Sequence, residues 1–188
     1  GQIAVSQGDE ARARKSLDIL RVVDTEPFYE HRKSTIEYHF SSKEEAYKSA
    51  YKAFELVEKP PFPFWVQLIK TEIETRRLDD AQEHLNSMER IFRNVKSNIR
   101  IGLHIKWEVA NGTPENGVAY AQRLREPLND IETLIYSDAL ENALEMDRLS
   151  GEQKHFAQQE LEDLHTRLIH VTARDAIARE RDEVFWIE

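Results

Sequence analysis

The sequence contains no cysteine, and only 6 of its 188 residues are glycine and 6 are proline. Without cysteine the chain can build neither a disulfide-bonded scaffold nor a thiolate metal site. So few glycines and prolines favour long regular elements joined by short turns. No apolar run approaches the roughly 20 residues that span a membrane, and no signal-peptide core is present. We therefore expect no membrane association and a cytoplasmic location, with the periplasm as the alternative.

The net charge of −9 argues against nucleic-acid binding, because contacts to phosphate need a basic surface. Hydrophobic residues make up 40% of the chain and charged residues 32%, a balance typical of a folded domain with a polar surface. A chain of this length buries roughly 70% of the surface that its unfolded form exposes. A hydrophobic core without covalent cross-links is therefore expected.

Apolar residues recur every three or four positions along most of the chain, whereas the alternation typical of strands does not persist. This spacing predicts an all-α fold of about nine helices. The stretch NGTPENG, residues 111–117, carries turn signals throughout and is predicted to be a loop. The predicted helices span residues 8–24, 28–40, 41–59, 64–76, 78–94, 98–110, 115–129, 131–148 and 151–184.

An alanine recurs at the same place in three of these helices, at Ala13, Ala46 and Ala81, with separations of 33 and 35 residues. Periods in the low thirties with two helices each are typical of stacked helical repeats. The small residue lets the second helix of a pair cross close to the first, and apolar residues four and seven positions later fill the groove beside it. These later residues are Leu17, Ala50 and Leu85, followed by Leu20, Ala53 and Met88.

The third copy, TRRLDDAQEHLNSMERIF, also shows which side of such a helix faces away from its partner. Its charged residues Glu83 and His84 are predicted to lie on an outer face. A fourth copy after residue 98 is harder to align, because Val118 or Ala121 can each take the alanine place.

The turns of these copies resemble those of tetratricopeptide repeats (TPR). QGDEARA is similar to the turn between the two helices of that family, and DTEP and EKPP are similar to its closing turn with proline. Trp65 and Leu68 stand where the family often carries an aromatic residue and a leucine on the first helix. Ile69 departs from the small residue usual beside that leucine. The resemblance covers residues 1–95 well and residues 96–150 loosely.

This resemblance implies a TPR-like right-handed superhelix of about four antiparallel helix pairs over residues 1–150, the first pair being truncated. A long C-terminal helix over residues 151–188 follows it. An unrelated all-α bundle is the alternative architecture.

In such a superhelix the first helix of each pair lines a concave inner surface. The resemblance therefore implies a groove for a peptide or a partner helix, although for each side chain taken alone a solvated face is the favoured interpretation. Family members that clamp a terminal carboxylate use lysine and asparagine where His31 and Thr35 stand here, so that clamp is not expected. The candidate groove residues are His31, Thr35, Tyr38, Val66, Lys70, Ile73, Glu74, His104 and Lys106.

Catalytic motifs are missing from the sequence. It has no G-x-S-x-G, no cysteine nucleophile, no glycine-rich phosphate loop and no H-E-x-x-H. We therefore expect no enzymatic activity, no catalytic residues and no cofactor.

Two Glu-x-x-His motifs, Glu152 with His155 and Glu162 with His165, suggest half of a di-iron site. Such a site needs its motifs on facing helices, whereas these two lie on one predicted helix. Ten residues place them about 15 Å apart along the axis and rotate the second by roughly 280°. A solvated face, and no metal site, is therefore expected.

The aromatic stretch PPFPFW precedes and begins one predicted helix. Exposed aromatic residues anchor interfaces, so this stretch is a candidate lip for a partner. The favoured interpretation is that Phe62, Phe64 and Trp65 pack one repeat against the next.

The last predicted helix carries an apolar stripe with heptad spacing. It either caps the array by folding over it or leaves it as a connector that pairs with a second copy as a homodimer. The stripe consists of Leu161, Leu164, Leu168, Val171, Asp175 and Ala178.

The expected function is non-catalytic protein–protein interaction or scaffolding, with a protein or peptide as the partner. Because Gly1 stands inside a helical pattern, the chain is expected to be a fragment of a longer bacterial protein. The alternative function is a regulatory domain that senses a ligand or peptide and controls an attached output domain in signal transduction.

Overall fold

The computed structural model describes residues 8–93, 98–124 and 133–166, and within these segments the regular structure is α-helical with no strand. The predicted all-α fold class is thereby confirmed. The chain divides into two compact units, Gly1–Val95 (unit 1) and Lys96–Glu188 (unit 2). Unit 1 contains α1 Glu10–Val23, α2 Glu26–Phe40, α3 Lys43–Glu55, α4 Phe62–Glu74 and α5 Leu78–Ile91. Unit 2 contains α6 Asn98–Ala110, α7 Pro114–Leu124, α8 Thr133–Glu145 and α9 over residues 151–166.

Helix starts in unit 1 follow from side-chain caps and from proline. Asp9 accepts a hydrogen bond from the Arg12 N–H, and Ser42 accepts one from the Glu45 N–H, which satisfies backbone donors that have no partner in the first turn. Pro27 and Pro63 stand in the first turn of α2 and α4, where a missing N–H costs nothing. Both helices therefore begin two residues before their predicted starts.

The predicted loop at residues 111–117 is wrong over its second half. Only residues 111–113 form the turn, in which Gly112 has a φ of 83°, and α7 begins at Pro114. The proline is again a first-turn residue rather than a helix breaker. Consequently Gly117 lies inside a helix.

Unit 1 is a series of helices in which each packs on the next. The helices α2 and α3 form one pair and α4 and α5 the next, α4 also packs against α3 and α2, and α1 packs against α2. Contacts between α2 and α4 ascend together along both helices, from Phe28 with Phe64 to Tyr38 with Glu74. These two first helices thus lie side by side and parallel, while the finer TPR-like superhelix stays a prediction.

The alanine register is confirmed by burial. Ala13, Ala46 and Ala81 are each 0% exposed, and each is the fourth residue of its helix. The residues four and seven positions later are buried too, apart from Leu20, which is partly exposed.

In α7 the fourth residue is Gly117, so neither Val118 nor Ala121 takes the alanine place. A Cβ added at Gly117 would lie 2.9 Å from the Cα of Ile105 on α6. The two helices of this pair therefore cross even more closely than an alanine would allow.

Unit 2 is held by one apolar cluster that α6, α7, α8 and α9 share. The helix α8 packs chiefly against α6, and a Cβ on Gly102 of α6 would lie 3.0 Å from the Ile135 backbone. From α9 the cluster takes Ala157, Leu161 and Leu164. Within residues 151–166 the predicted apolar stripe is therefore buried inside unit 2, as a cap requires.

The remaining stripe residues, Leu168, Val171, Asp175 and Ala178, lie outside the described residues, so the connector and homodimer alternative stays a prediction. The predicted boundary at residue 150 falls within unit 2.

Candidate peptide-binding groove

A groove of about 530 Å³ opens between α1 and α2 and reaches the start of α4. It lies wholly within unit 1. Two of the predicted groove residues, His31 and Thr35, line it. The other lining residues are Ser16, Ile19, Leu20, Phe28, Arg32, Ile36, Pro61, Pro63 and Phe64.

The groove leaves apolar side chains open to solvent. Ile19 on α1 is 61% exposed and Phe28 on α2 is 47% exposed, although both line the groove. Clustered apolar surface in a cleft is typical of binding sites, whereas scattered exposed residues are not. The groove is thus suited to an apolar ligand surface.

His31 is a groove residue whose pKa is strongly lowered. Its ring stacks on Phe64 with 4.5 Å between centroids and 16° between planes. Burial, and secondarily the Arg32 charge, lower the pKa of His31 to about 4, so the ring is neutral at pH 7. Its Nδ1 is enclosed and has no hydrogen-bond partner among the described residues. We assign the proton to Nε2, because an enclosed acceptor without a partner costs less than an enclosed donor without one.

The Arg32 and Thr35 side chains at the groove have partners within unit 1. Arg32 Nε forms an ion pair with Asp24 Oδ2 at 2.8 Å while its side chain stays half-exposed, and Thr35 Oγ1 donates to the His31 carbonyl at 3.2 Å. Ligand binding here is therefore expected to rest mainly on apolar contact, with His31 and Arg32 as the polar neighbours.

Three other predicted groove residues form a separate cluster between α2 and α4. Tyr38 Oη donates to Glu74 Oε1 at 2.8 Å, and the Lys70 ammonium lies 3.6 Å from the centre of the Tyr38 ring. Lys43 approaches the same ring at 3.5 Å. Because Tyr38 is only 8% exposed, this cluster joins two helices and offers a partner little of its aromatic surface.

The remaining predicted residues are Val66 and Ile73 in unit 1 and His104 and Lys106 in unit 2. Ile73 is 6% exposed and lies in the interior of unit 1, whereas Val66 is partly exposed. In unit 2 the His104 ring lies 4.3 Å from that of Tyr120. Lys106, 9% exposed, forms an ion pair with Asp138.

Sequence reasoning missed the apolar wall of the groove, above all Ile19, Leu20 and Phe28. A signal for it was present in the repeat. Ile19 stands 33 residues before Lys52, so the position that carries a charge in α3 is apolar in α1.

The aromatic residues at the start of α4 pack against neighbouring helices, which is the interpretation favoured from the sequence. Phe64 is 2% exposed and contacts α2 through Phe28 at 5.3 Å. Trp65 is 7% exposed and meets Phe54 of α3 edge-on at 4.6 Å. Phe62 meets Phe92 at 5.2 Å. These rings join successive helices, and Phe64 also forms the floor of the groove.

The expectation that His84 lies on an outer face is wrong. Its side chain is 24% exposed, and its Nδ1 lies 2.9 Å from Oε1 of Glu72, which is 1% exposed. The hydrogen bond to Glu72 raises the pKa of His84, whereas burial raises the pKa of Glu72. The inward position of His84 follows from its hydrogen bond to Glu72, since a buried carboxylate needs a hydrogen-bonding partner.

No cluster of three metal-ligating side chains occurs in residues 8–93, 98–124 and 133–166. Glu152, His155, Glu162 and His165 are all exposed on α9, and His165 lies 3.5 Å from Glu141. In the same segments no helix is long and apolar enough to cross a membrane.

The groove is the feature of the described chain from which a function can be argued. No protein-family model, curated protein or solved structure matches this chain at a significant level.

Proposed function

We propose that this chain is a TPR-like, non-catalytic interaction module that binds a peptide or a partner helix in the groove between α1 and α2. The observation that carries the proposal is the apolar lining of the groove, where Ile19 and Phe28 stay exposed. Covering such side chains contributes about 25 cal/mol per Å² of apolar area removed from water.

The chemistry of the groove also favours a binding role. Its Arg32 and Thr35 are engaged within unit 1, and His31 is flattened against Phe64. General acid–base catalysis needs titratable groups within reach of a common reacting atom. A lining of mostly apolar side chains with one hydrogen-bonding edge instead fits recognition of an apolar peptide face.

The experiment is a selection of displayed random peptides on the full chain. Peptides that bind the groove are expected to lose at least tenfold in affinity for the Ile19→Arg variant, because the new charge has to be buried on binding. The matched control is Val22→Arg on the same helix, since Val22 is 85% exposed and does not line the groove.

Control binding is expected to stay within about twofold of wild type, because surface changes away from a site have small effects. A selection that returns no peptide sensitive to Ile19→Arg would overturn the proposal. Circular dichroism of both variants checks that the helices are intact.

A further inference from the structure

Unit 2 contains two asparagines that are followed directly by glycine, Asn111 before Gly112 and Asn116 before Gly117. An asparagine side chain loses its amide as ammonia when the backbone nitrogen of the next residue attacks the side-chain carbonyl carbon and closes a five-membered ring. Glycine in the next position favours this attack, because no Cβ shields the nitrogen and the backbone reaches conformations closed to other residues. No enzyme is needed, so the structure around each pair determines which of the two reacts.

The first pair, Asn111 with Gly112, lies in the turn after α6. Asn111 is exposed and Gly112 partly exposed, and Gly112 has a φ of 83°. The Gly112 N–H donates to the Val109 carbonyl at 3.1 Å, a bond of the last turn of the helix, where local opening has its lowest free energy. Because neither Asn111 nor Gly112 belongs to the apolar cluster of unit 2, opening this turn leaves the packing of the helices intact.

The second pair, Asn116 with Gly117, lies inside α7. The Asn116 side chain is exposed too, so exposure alone does not distinguish the two asparagines. A Cβ added at Gly117 would lie 2.9 Å from the Cα of Ile105, which shows how closely this backbone packs against α6. Ring closure takes the asparagine backbone out of the helical conformation, and at Asn116 this requires α6 and α7 to separate.

We propose that Asn111 is a site of spontaneous deamidation and that the crossing of α6 and α7 protects Asn116 from the same reaction. The site lies in unit 2, whereas the groove lies in unit 1, so this inference does not depend on the proposed function.

The reaction uses water as its only co-reactant. Hydroxide takes the proton of the Gly112 backbone nitrogen, which forms a bond to Asn111 Cγ. The Cγ–Nδ2 bond then breaks, and Nδ2 takes up a proton from water and leaves as ammonia. Water adds to either carbonyl of the resulting cyclic imide and breaks that carbonyl's bond to the Gly112 nitrogen. Addition at Cγ gives aspartate at position 111, and addition at the main-chain carbonyl gives isoaspartate, through which the backbone is longer by one carbon.

The modified turn also contacts the segment between α8 and α9. Arg148 donates from Nη1 to the Gly112 carbonyl, and its Nη2 lies 3.3 Å from Glu115 Oε1. Gln153 of α9 donates to the Glu115 carbonyl at 2.9 Å. A longer backbone at position 111 displaces the Gly112 carbonyl from Arg148, so isoaspartate is expected to loosen the start of α9.

The test is incubation of the full folded chain at pH 7.5 in water labelled with heavy oxygen, followed by tryptic digestion in ordinary water. Lys106 and Arg123 bound one tryptic peptide that contains both asparagines, so each serves as the control for the other in the same molecule. Mass spectrometry with electron-transfer fragmentation places the incorporated oxygen and separates isoaspartate from aspartate. Deamidation at Asn116 is expected to be at least about tenfold slower than at Asn111, because it needs the larger opening.

The same incubation in guanidinium chloride removes the structural difference. In the unfolded chain the two rates should agree within about threefold, since neither the turn nor the crossing persists. Equal rates in the folded chain, or a faster reaction at Asn116, overturn the proposal. So does an Asn111 that reacts in the unfolded chain and not in the folded one.

The effect on α9 is measured by hydrogen exchange of fresh and aged protein. Exchange at the start of α9 is expected to become at least about threefold faster in the aged isoaspartate form. The matched variant is Asn111→Gln, which keeps an amide of similar size but would have to close a larger and less favourable ring. Its exchange should not change with age, and an equal change in both proteins would contradict the contact between the turn and α9 as the cause.

Discussion

The two units hold their helices together by different means. In unit 1 buried polar side chains bridge neighbouring helices: Ser34 Oγ of α2 donates to the Ala46 carbonyl of α3 at 2.6 Å and accepts from Gln67 of α4 at 3.0 Å. In unit 2 two glycines, Gly102 and Gly117, bring backbones into direct contact. They lie beside a cluster that is apolar except for the Tyr136 hydroxyl, which donates to Glu160 Oε2 at 3.2 Å.

This difference determines what each unit tolerates. A hydrogen-bonded pair of buried side chains loses its stabilising effect when one partner is removed, because the other is left without a hydrogen bond. A helix crossing at a glycine is destabilised when the glycine is replaced by a larger residue, because the opposing backbone cannot move aside. Unit 1 should therefore be sensitive to truncation of specific side chains, and unit 2 to enlargement of specific glycines.

The largest effect is expected from Gly117→Val in unit 2. A Cβ at this position lies 2.9 Å from the Ile105 Cα, so α6 and α7 must separate, and we expect a loss of about 3 kcal/mol in the free energy of unfolding. Hydrogen exchange of the full chain, followed by mass spectrometry in peptides of α6 and α7, measures the loss.

Gly151→Val is the matched control, because a Cβ there meets no atom within 4 Å. We expect it to change stability by no more than about 0.5 kcal/mol. Equal effects of the two substitutions would show that helix propensity, and not the crossing, decides the outcome.

Removal of the His84 imidazole is the corresponding change in unit 1. His84→Phe keeps the aromatic contacts with Phe54 and Trp65 but leaves Glu72, 1% exposed, without its partner. We expect a loss of about 2 kcal/mol at pH 7.5, since a buried carboxylate without a cation is strongly penalised. Urea unfolding of the full chain, with exchange in α4 and α5, measures it.

Two further measurements sharpen this prediction. The double variant Glu72→Leu/His84→Phe should recover most of the stability, because it removes the buried charge. Burial already raises the pKa of Glu72, so in the His84→Phe protein Glu72 takes up a proton on folding as the pH falls. The stability of His84→Phe relative to the double variant should therefore rise between pH 7.5 and pH 5, and a difference that is the same at both pH values would contradict a charge-based cause.

The helical order and the register of unit 1 could be predicted because they depend on spacing alone. Ala46 and Ala81 are buried because each stands where the second helix of a pair crosses the first, and such a crossing requires a small residue. The same logic failed at Gly117, because glycine and proline close together predict a turn, whereas Pro114 in fact begins a helix.

The groove could be predicted only in part. His31 and Thr35 were named because the resemblance places first helices on an inner surface, and both line the groove. Tyr38 and Lys70 instead contact each other. This contact depends on the distance between α2 and α4, which the sequence of neither helix gives on its own. The inward position of His84 likewise depends on Glu72, twelve residues earlier, on a neighbouring helix.

A smaller loss is expected from Ser34→Ala in the protein. The change removes a buried hydroxyl that joins α2, α3 and α4 and leaves Gln67 Nε2 without its acceptor. We expect a loss of about 1.5 kcal/mol in the free energy of unfolding. The control is Ser16→Ala, whose hydroxyl donates to the Arg12 carbonyl on its own helix, and it should have almost no effect. Equal losses in urea unfolding would mean that the bridge contributes nothing specific.

The remaining effect is the pH dependence of stability contributed by His31. Its pKa is about 4 in the folded protein against 6.5 for the model group, so on acidification the unfolded chain binds the proton first, and stability is lost as the pH falls from 6.5 to about 4. His39, whose pKa is lowered by burial and then by Lys70 and Lys43, acts with the same sign.

The raised pKa values of His84 and Glu72 act in the opposite direction, so wild-type stability alone does not isolate His31. The comparison with His31→Gln does, because glutamine occupies the corresponding position 67 of α4 and does not titrate. We expect the stability of the variant relative to wild type to rise by roughly 1–2 kcal/mol between pH 7.5 and pH 5, measured by urea unfolding at both values. The matched variant His39→Gln should rise less, since His39 is the more exposed ring. A difference between His31→Gln and wild type that is the same at both pH values would mean that the His31 ring is not held neutral by the groove.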